Sequence, residues 1–195
     1  NHMLGDLASS LAGTPSNAMA VFAVAGDDDD IIHAGVKHLA DFLHMLGNPV
    51  AVIDSTGSTS MTRSLNLSYP LGILDVQRTL AVCAEDGVAA VIIAMNNATL
   101  QREALESVNV DVLGSERVAQ GEDVASLKTR YAFVSDRALA LTVPTGESDE
   151  LAAESPAMFD QDRLGHMSLA VAMVLAAGVR RNNVRSALRV ANNLR

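Results

Sequence analysis

The feature that most constrains this chain is an early succession of a continuous apolar run, a short acidic turn, an amphipathic helix and a second apolar run. Ala18 to Ala25 is apolar throughout and of strand length, the pattern of a strand buried on both faces. Gly26 and four aspartates, Asp27, Asp28, Asp29 and Asp30, follow it. From Ile31 to Leu46 the apolar residues Ile32, Val36, Leu39, Phe42, Leu43 and Leu46 recur at helical spacing, and Gly47-Asn48-Pro49 supplies the stop. Val50 to Ile53 reads as the next strand. Strand, helix and strand in this order make a βαβ unit, whose strands are parallel and whose crossover is right-handed.

The alternation continues to the end of the chain. A short helix over Leu4 to Leu11 precedes the first strand. Further helices are expected over Leu74 to Glu85, Leu100 to Ser107, Asp123 to Tyr131 (capped by Gly121-Glu-Asp123), Leu164 to Ala177 and Asn183 to Asn193, the last two split by Gly178. Strands are expected over Val88 to Met95, Val110 to Leu113 and Ala138 to Val143. Ser55 to Pro70 and Thr145 to Gln161, rich in Ser, Thr, Gly, Asp and Glu, read as loops or a small side sheet. The expected fold is α/β, three-layered, a mostly parallel sheet flanked by helices. Asn1, His2 and Met3 read as a tag remnant, and residues 4–195 as one domain.

Composition narrows the function. A net charge of −9 and few clustered cations oppose a nucleic-acid partner, because phosphate contact draws on grouped Lys and Arg. No apolar run approaches the roughly 20 residues that span a bilayer, so no membrane insertion is expected. The one cysteine, Cys83, excludes an internal disulfide and a cysteine metal cage; it reads as a small buried helix residue in a cytoplasmic protein.

Ligands of open parallel sheets bind at the carboxyl ends of the strands, which directs attention to Gly26 through Ile31. A phosphate loop there needs glycines that let backbone N–H groups converge, a Lys for charge and a Ser or Thr hydroxyl for magnesium. This segment keeps one glycine and places four carboxylates where the phosphates would lie. Each close pair of like charges costs on the order of 1 kcal/mol or more. The aspartate run could offer oxygens to a divalent cation, but four consecutive residues on a turn cannot all face one ion, and a solvated helix N-terminus is the favoured reading. His33, His38 and His44 lie five and six residues apart, not at the three or four of helical metal pairs, and read as independent surface or half-buried histidines.

In the order of its pieces the chain resembles the Mur ligases, which add amino acids to UDP-MurNAc-peptide, and most closely their MurE type. Leu4 to Gly26 is similar to the helix, Pro-containing turn and first strand leading into that family's Gly-Thr-Asn-Gly-Lys-Thr loop. Against that loop Gly26 matches the first glycine. Asp27, Asp28 and Asp29 stand for Thr, Asn and Gly, Asp30 for the phosphate Lys, and Ile31 for the magnesium-holding Thr. Leu67 to Leu80 resembles the Thr-Thr-Pro acceptor loop and its helix, with Ser68, Tyr69 and Pro70 in the motif positions. Val91 to Leu100 lies on Glu-Val-Ser-Ser-His-Ala-Leu, with Ala94 for the magnesium Glu, Asn96 and Asn97 for the serines and Ala98 for the His. No Asn-Leu-x-x-Asp-His run follows Val110 to Leu113. Lys128 aligns with the lysine that is carbamylated in the family, though a helix-surface lysine is the simpler reading. His166 and Met167 fall on the His and Asn of a Gly-x-His-Asn helix.

The resemblance implies a Mur-ligase central domain, P-loop-NTPase-like, whose ATP and magnesium groups are lost and which lacks the family's N- and C-terminal domains. It implies a pseudoenzyme with no cofactor, acting as an interaction or assembly module in peptidoglycan synthesis, with a protein partner and scope for homo-oligomers. Two alternatives stay open. One is a module that binds a muramyl-peptide precursor through Ser68, Tyr69, Asn96, Asn97, Lys128 and His166. The other is an ATP-dependent amino-acid ligase with a divergent loop.

Overall fold

The computed structural model describes residues 19–116, 123–136, 138–155 and 161–193. Strand β1 (Ala20–Ala25) leads into helix α1 (Asp29–Met45), then β2 (Val50–Ile53), β3 (Ser58–Ser60), β4 (Arg63–Leu65), α2 (Ile73–Glu85) and β5 (Ala90–Ala94). The second half adds β6 (Val112–Ser115), α3 (Val124–Tyr131), β7 (Leu141–Thr142), α4 (Gly146–Ala153), α5 (Gln161–Ala176) and α6 (Arg181–Asn193). Among the described residues, seven strands form one sheet in the order β4-β3-β2-β5-β1-β6-β7. The five from β2 to β7 are mutually parallel, and β3 and β4 extend the β2 edge in antiparallel fashion.

The continuous apolar runs are explained by two cores. Ala20, Phe22 and Val24 of β1, with Ala90, Ile92 and Ala94 of β5, face a layer made by α1, α4, α5 and α6. Val21, Ala23 and Ala25, with Val91 and Ile93, face the other layer, made by α2, α3 and the segment from Leu100 to Val110. Strands covered on both faces lose the polar half of the alternation. Each of the six apolar positions named from spacing, five on α1 and Leu46 at its C-cap, is buried, and so is Cys83 on α2; burial raises the thiol pKa of Cys83 above its ordinary value. No described helix is long and apolar enough to cross a membrane.

Helix ends follow the sequence signals. At the end of α1, Gly47 takes φ +89°, the Asn48 N–H donates to the Leu43 carbonyl at 3.1 Å and the Gly47 N–H to the His44 carbonyl at 2.9 Å. This is a Schellman stop, which glycine reaches at least cost. The Gly87 turn ends α2 with the same pair of bonds, to Cys83 and Ala84. Asp123 caps α3 by accepting the Ser126 N–H at 2.8 Å, and that bond holds its carboxyl below the ordinary value.

Several expectations are corrected. Leu100 to Ser107 is a run of turns, not a helix: Glu103 and Ser107 take positive φ, and the Glu103 and Leu105 N–H groups donate to the Arg130 and Tyr131 carbonyls. The strand expected over Val110 to Leu113 lies two residues later, because the Val110 N–H pairs with the Val134 carbonyl outside the sheet. The strand expected over Ala138 to Val143 shrinks to β7, beyond which Pro144 has no N–H for the ladder. Within Thr145 to Gln161, expected to be loop or a small side sheet, Thr145 caps helix α4 by accepting the Ser148 N–H at 3.0 Å. Ser55 to Pro70 contains the β3–β4 hairpin, the side sheet of the alternative, joined here to the main sheet. The helix over Leu4 to Leu11 lies outside the described residues, as do Gly121 and Glu122.

One ion pair fixes the hairpin to α2. Asp86 accepts from Ser60 Oγ at 2.7 Å and from Arg63 Nη2 at 2.5 Å, and these bonds, Ser60 first, hold its carboxyl below its ordinary 3.8. A depressed folded value means a contribution present above the unfolded pKa and lost as the pH falls through the folded one. Asp86→Asn should therefore destabilise the chain at neutral pH and match wild type once the pH is below that folded value. Urea midpoints across an acid series check this, and a gap between the two proteins that persists at the acid end would contradict it.

Candidate functional site

The carboxyl edge of the parallel strands gathers four short segments. After β1, the backbone turns at Gly26, where a Cβ would lie 3.3 Å from Ile32 Cγ1. Asp28, extended at φ −129° and ψ 127°, is the N-cap of α1, and its Oδ1 accepts the Asp30 N–H at 2.8 Å. Asp27 to Asp30 are all exposed and Ile31 is half-buried. Carboxylates are favoured at a helix N-terminus, where the first amides lack partners and the helix dipole is positive. The turn thus satisfies an orphan amide with its own side chain.

After β2, the Asp54 side chain is 4% exposed and its Oδ1 lies 2.6 Å from Nδ1 of His33, in the first turns of α1, a close approach without the alignment of a hydrogen bond. The same Oδ1 accepts the Thr56 N–H at 3.1 Å. Ser58 Oγ bridges the Asp54 backbone and the Tyr69 hydroxyl, the latter at 2.5 Å.

After β5, Asn96 is buried, its Oδ1 accepting the Thr99 N–H at 3.0 Å and its Nδ2 unpaired. Asn97 is exposed, and its Oδ1 accepts the Tyr131 hydroxyl at 2.9 Å. Ala94, which the sequence resemblance sets against a magnesium-holding Glu, is fully buried, and Ala98 is exposed. After β6, Glu116 Oε2 lies 2.5 Å from His166 Nδ1 on α5, and the His38 ring lies against His166 with centroids 5.1 Å apart. Gly165 admits this approach, since a Cβ there would come within 2.6 Å of Glu116 Oε1.

The sequence-derived cleft residues are thus dispersed. Tyr69 and Asn97 are engaged internally, Ser68 is exposed before a cis Tyr69–Pro70 bond, and Lys128 is exposed on α3. His166 belongs to α5, on the opposite layer from α3 and Tyr69. The three α1 histidines go separate ways, to Asp54, to His166 and to the surface. Among the described residues no group of three His, Cys, Asp or Glu is placed to hold a metal ion. Sequence reasoning missed the His33–Asp54 and His166–Glu116 pairs. The signal for the first was present: an acid directly after a parallel strand and a histidine early in the preceding crossover helix fall on the same sheet edge.

Beside this edge, a groove of about 840 Å³ runs between α1 and the β2–β3 flank. Its floor is Val50, Val52 and Thr59, all half-buried, and Met61, 48% exposed. The His33–Asp54 pair stands at one end and Asn48-Pro49 at the other.

No protein-family model and no curated protein sequence matches the chain. Among solved structures it is similar to a bifunctional folylpolyglutamate synthase/dihydrofolate synthase with Mn, AMPPNP and L-glutamate bound. The TM-score is 0.51 at 15% identity, over 96% of this chain and 61% of that one. It is also similar to the E. coli FolC protein in complex with ADP, with a TM-score of 0.49 at 17% identity, again over 96% and 61%. The chain thus spans about three fifths of the length of these proteins. The likeness is one of fold, which in the described residues of this chain is a mostly parallel seven-stranded sheet flanked by helices.

Proposed function

We propose that this chain is a non-catalytic version of a Mur-ligase-type central domain that serves as a protein-interaction or assembly module, in cytoplasmic steps of cell-wall synthesis. The observation that carries the reading is the acidic, self-capped turn after β1. Four exposed carboxylates occupy the end of α1, and Asp28 accepts an amide hydrogen that a phosphate loop would turn toward its ligand. A magnesium nucleotide does not fit these residues. Asp30 presents a negative charge to phosphate in place of a lysine, Ile31 brings no hydroxyl, and Ala94 brings no carboxylate to the end of β5.

A thermal-shift titration with Mg-ATP tests this. A retained site held at a hundred times its Kd would add about 2.7 kcal/mol, which in a chain of this size raises Tm by about 5 °C or more. We expect no shift, and none in Asp30→Lys either, because Ile31 and Ala94 are unchanged. A shift of several degrees in the wild-type chain would restore the ligase reading, to which the fold's likeness to folylpolyglutamate synthase lends support. The unpaired Nδ2 of buried Asn96 favours a second reading, a muramyl-peptide binding module of the MurE type. A shift with UDP-MurNAc-peptide but not with Mg-ATP would select it.

A further inference from the structure

We propose that the groove along α1 is the seat of a single amphipathic helix from a partner protein, whose apolar stripe is flanked by Lys and Arg. The seat names the partner class of the interaction module and so rests on that reading. The geometry begins with the sheet. On the face where α1, α5 and α6 form a helical layer, α1 covers β2 only in part: Val50 and Val52 pack against its cluster yet stay half-buried, and beyond them Thr59 is half-buried and Met61 exposed. Parallel strands are ordinarily covered on both faces. A helix laid beside α1 would complete the layer at the usual interaxial distance of about 8–10 Å.

The wall of the groove has the spacing of a helix-packing seam. Asp30, Ala34, Lys37, Asp41 and His44 line it, and steps of four and three residues keep them on one stripe of α1. The stripe runs the length of the helix, 17 residues, or about 25 Å, which suits a helix of similar length. A strand would instead need open backbone groups, and β2 has both its neighbours.

Charge selects the partner. The groove is lined by three carboxylates, Asp30, Asp41 and Asp54, against the one ammonium of Lys37, in a chain of net charge −9. Complementary potential favours cationic flanks. It disfavours a second copy of this chain: two α1 stripes packed antiparallel would bring Lys37 against Lys37 at their centre, between two acidic molecules.

The test is selection from a display library of helical 20-residue peptides on the 195-residue chain, followed by binding isotherms for the enriched peptides. Peptides with apolar residues at i, i+3 and i+4 and basic flanks are expected to emerge. Their affinity should fall at least fivefold with Asp41→Lys and at least tenfold with Met61→Arg, both at exposed positions where the fold tolerates change. No enrichment, acidic or non-amphipathic winners, or affinities indifferent to both variants would each overturn the seat. So would a wild-type dimer in sedimentation velocity that Met61→Arg splits, since the occupant would then be a second copy. Mg-ATP shifts separate the two levels. A chain that takes up Mg-ATP yet selects basic helices retires the non-catalytic reading and keeps the seat, whereas no shift and no selection retires the seat alone.

Discussion

Phe22→Ala is expected to lower stability by about 3–5 kcal/mol, the cost of a cavity the size of a phenyl ring in a core that relaxes only in part. Phe22 is fully buried at the middle of β1, in register with Ile92 of β5 on one side and Val112 of β6 on the other. It sits in the cluster that joins the sheet to α1 and α5, so neighbours on both sheet and helices would have to move to close the void. Against a typical total of about 5–15 kcal/mol, the loss should bring Tm down by roughly 6–20 °C. Urea denaturation should show a lower midpoint with an unchanged slope, the sign of altered stability without altered compactness. Val134→Ala, at a 44% exposed position, serves as the control, with a change within about 0.5 kcal/mol. A Phe22→Ala loss as small as the control's would mean that β1 is not an interior strand.

Gly114→Ala should cost about 1–3 kcal/mol, and for an identifiable reason. Gly114 lies in β6 beneath α5, and a Cβ there would come 2.4 Å from Met173 Sδ, 2.8 Å from its Cγ and 2.9 Å from its Cε. A flexible side chain could swing aside at the surface, but Met173 is fully buried, so the methyl must displace packed atoms. The prediction becomes specific in a double-mutant cycle. Met173→Ala alone opens a cavity at about 2–5 kcal/mol, but in that background Gly114→Ala should be nearly neutral, because its methyl enters vacated space. Equal cost of Gly114→Ala in both backgrounds would remove the close approach of α5 as the explanation.

What could be read from the sequence was what a local period can carry. The α1 residues from Ile32 to Leu46 were legible because burial on one face of a helix repeats along the chain, and β2 was legible because a short apolar run ended by a polar loop has few alternatives. Leu100 to Ser107 misled because its composition is helical while its conformation is set from elsewhere, by the carbonyls of Arg130 and Tyr131 that its amides reach. Helix α4 was hidden by a cap of Thr145 with Ser148 that lacks the Glu or Gln of the usual box. At the sheet edge the acidic turn was readable, since carboxylates next to a helix start declare themselves. Glu116 and His166 were not readable as a pair, because only the order of strands brings the end of β6 to α5. The groove was illegible for a related reason: it is defined by the part of β2 and β3 that α1 leaves open.

The two ends of the sheet bear on how such a chain behaves when concentrated. Outermost among the described strands stand β4, three residues long with Arg63 and Ser64 exposed, and β7, two residues long with Pro144 just beyond. An incoming strand would find only a few free amides at either border, next to a guanidinium at one and a proline at the other, too little to template a ladder. Growth into fibrils through these borders is thereby disfavoured, although β1, β2 and β5 are made of Ala, Val, Ile and Phe alone and would pair readily if laid bare.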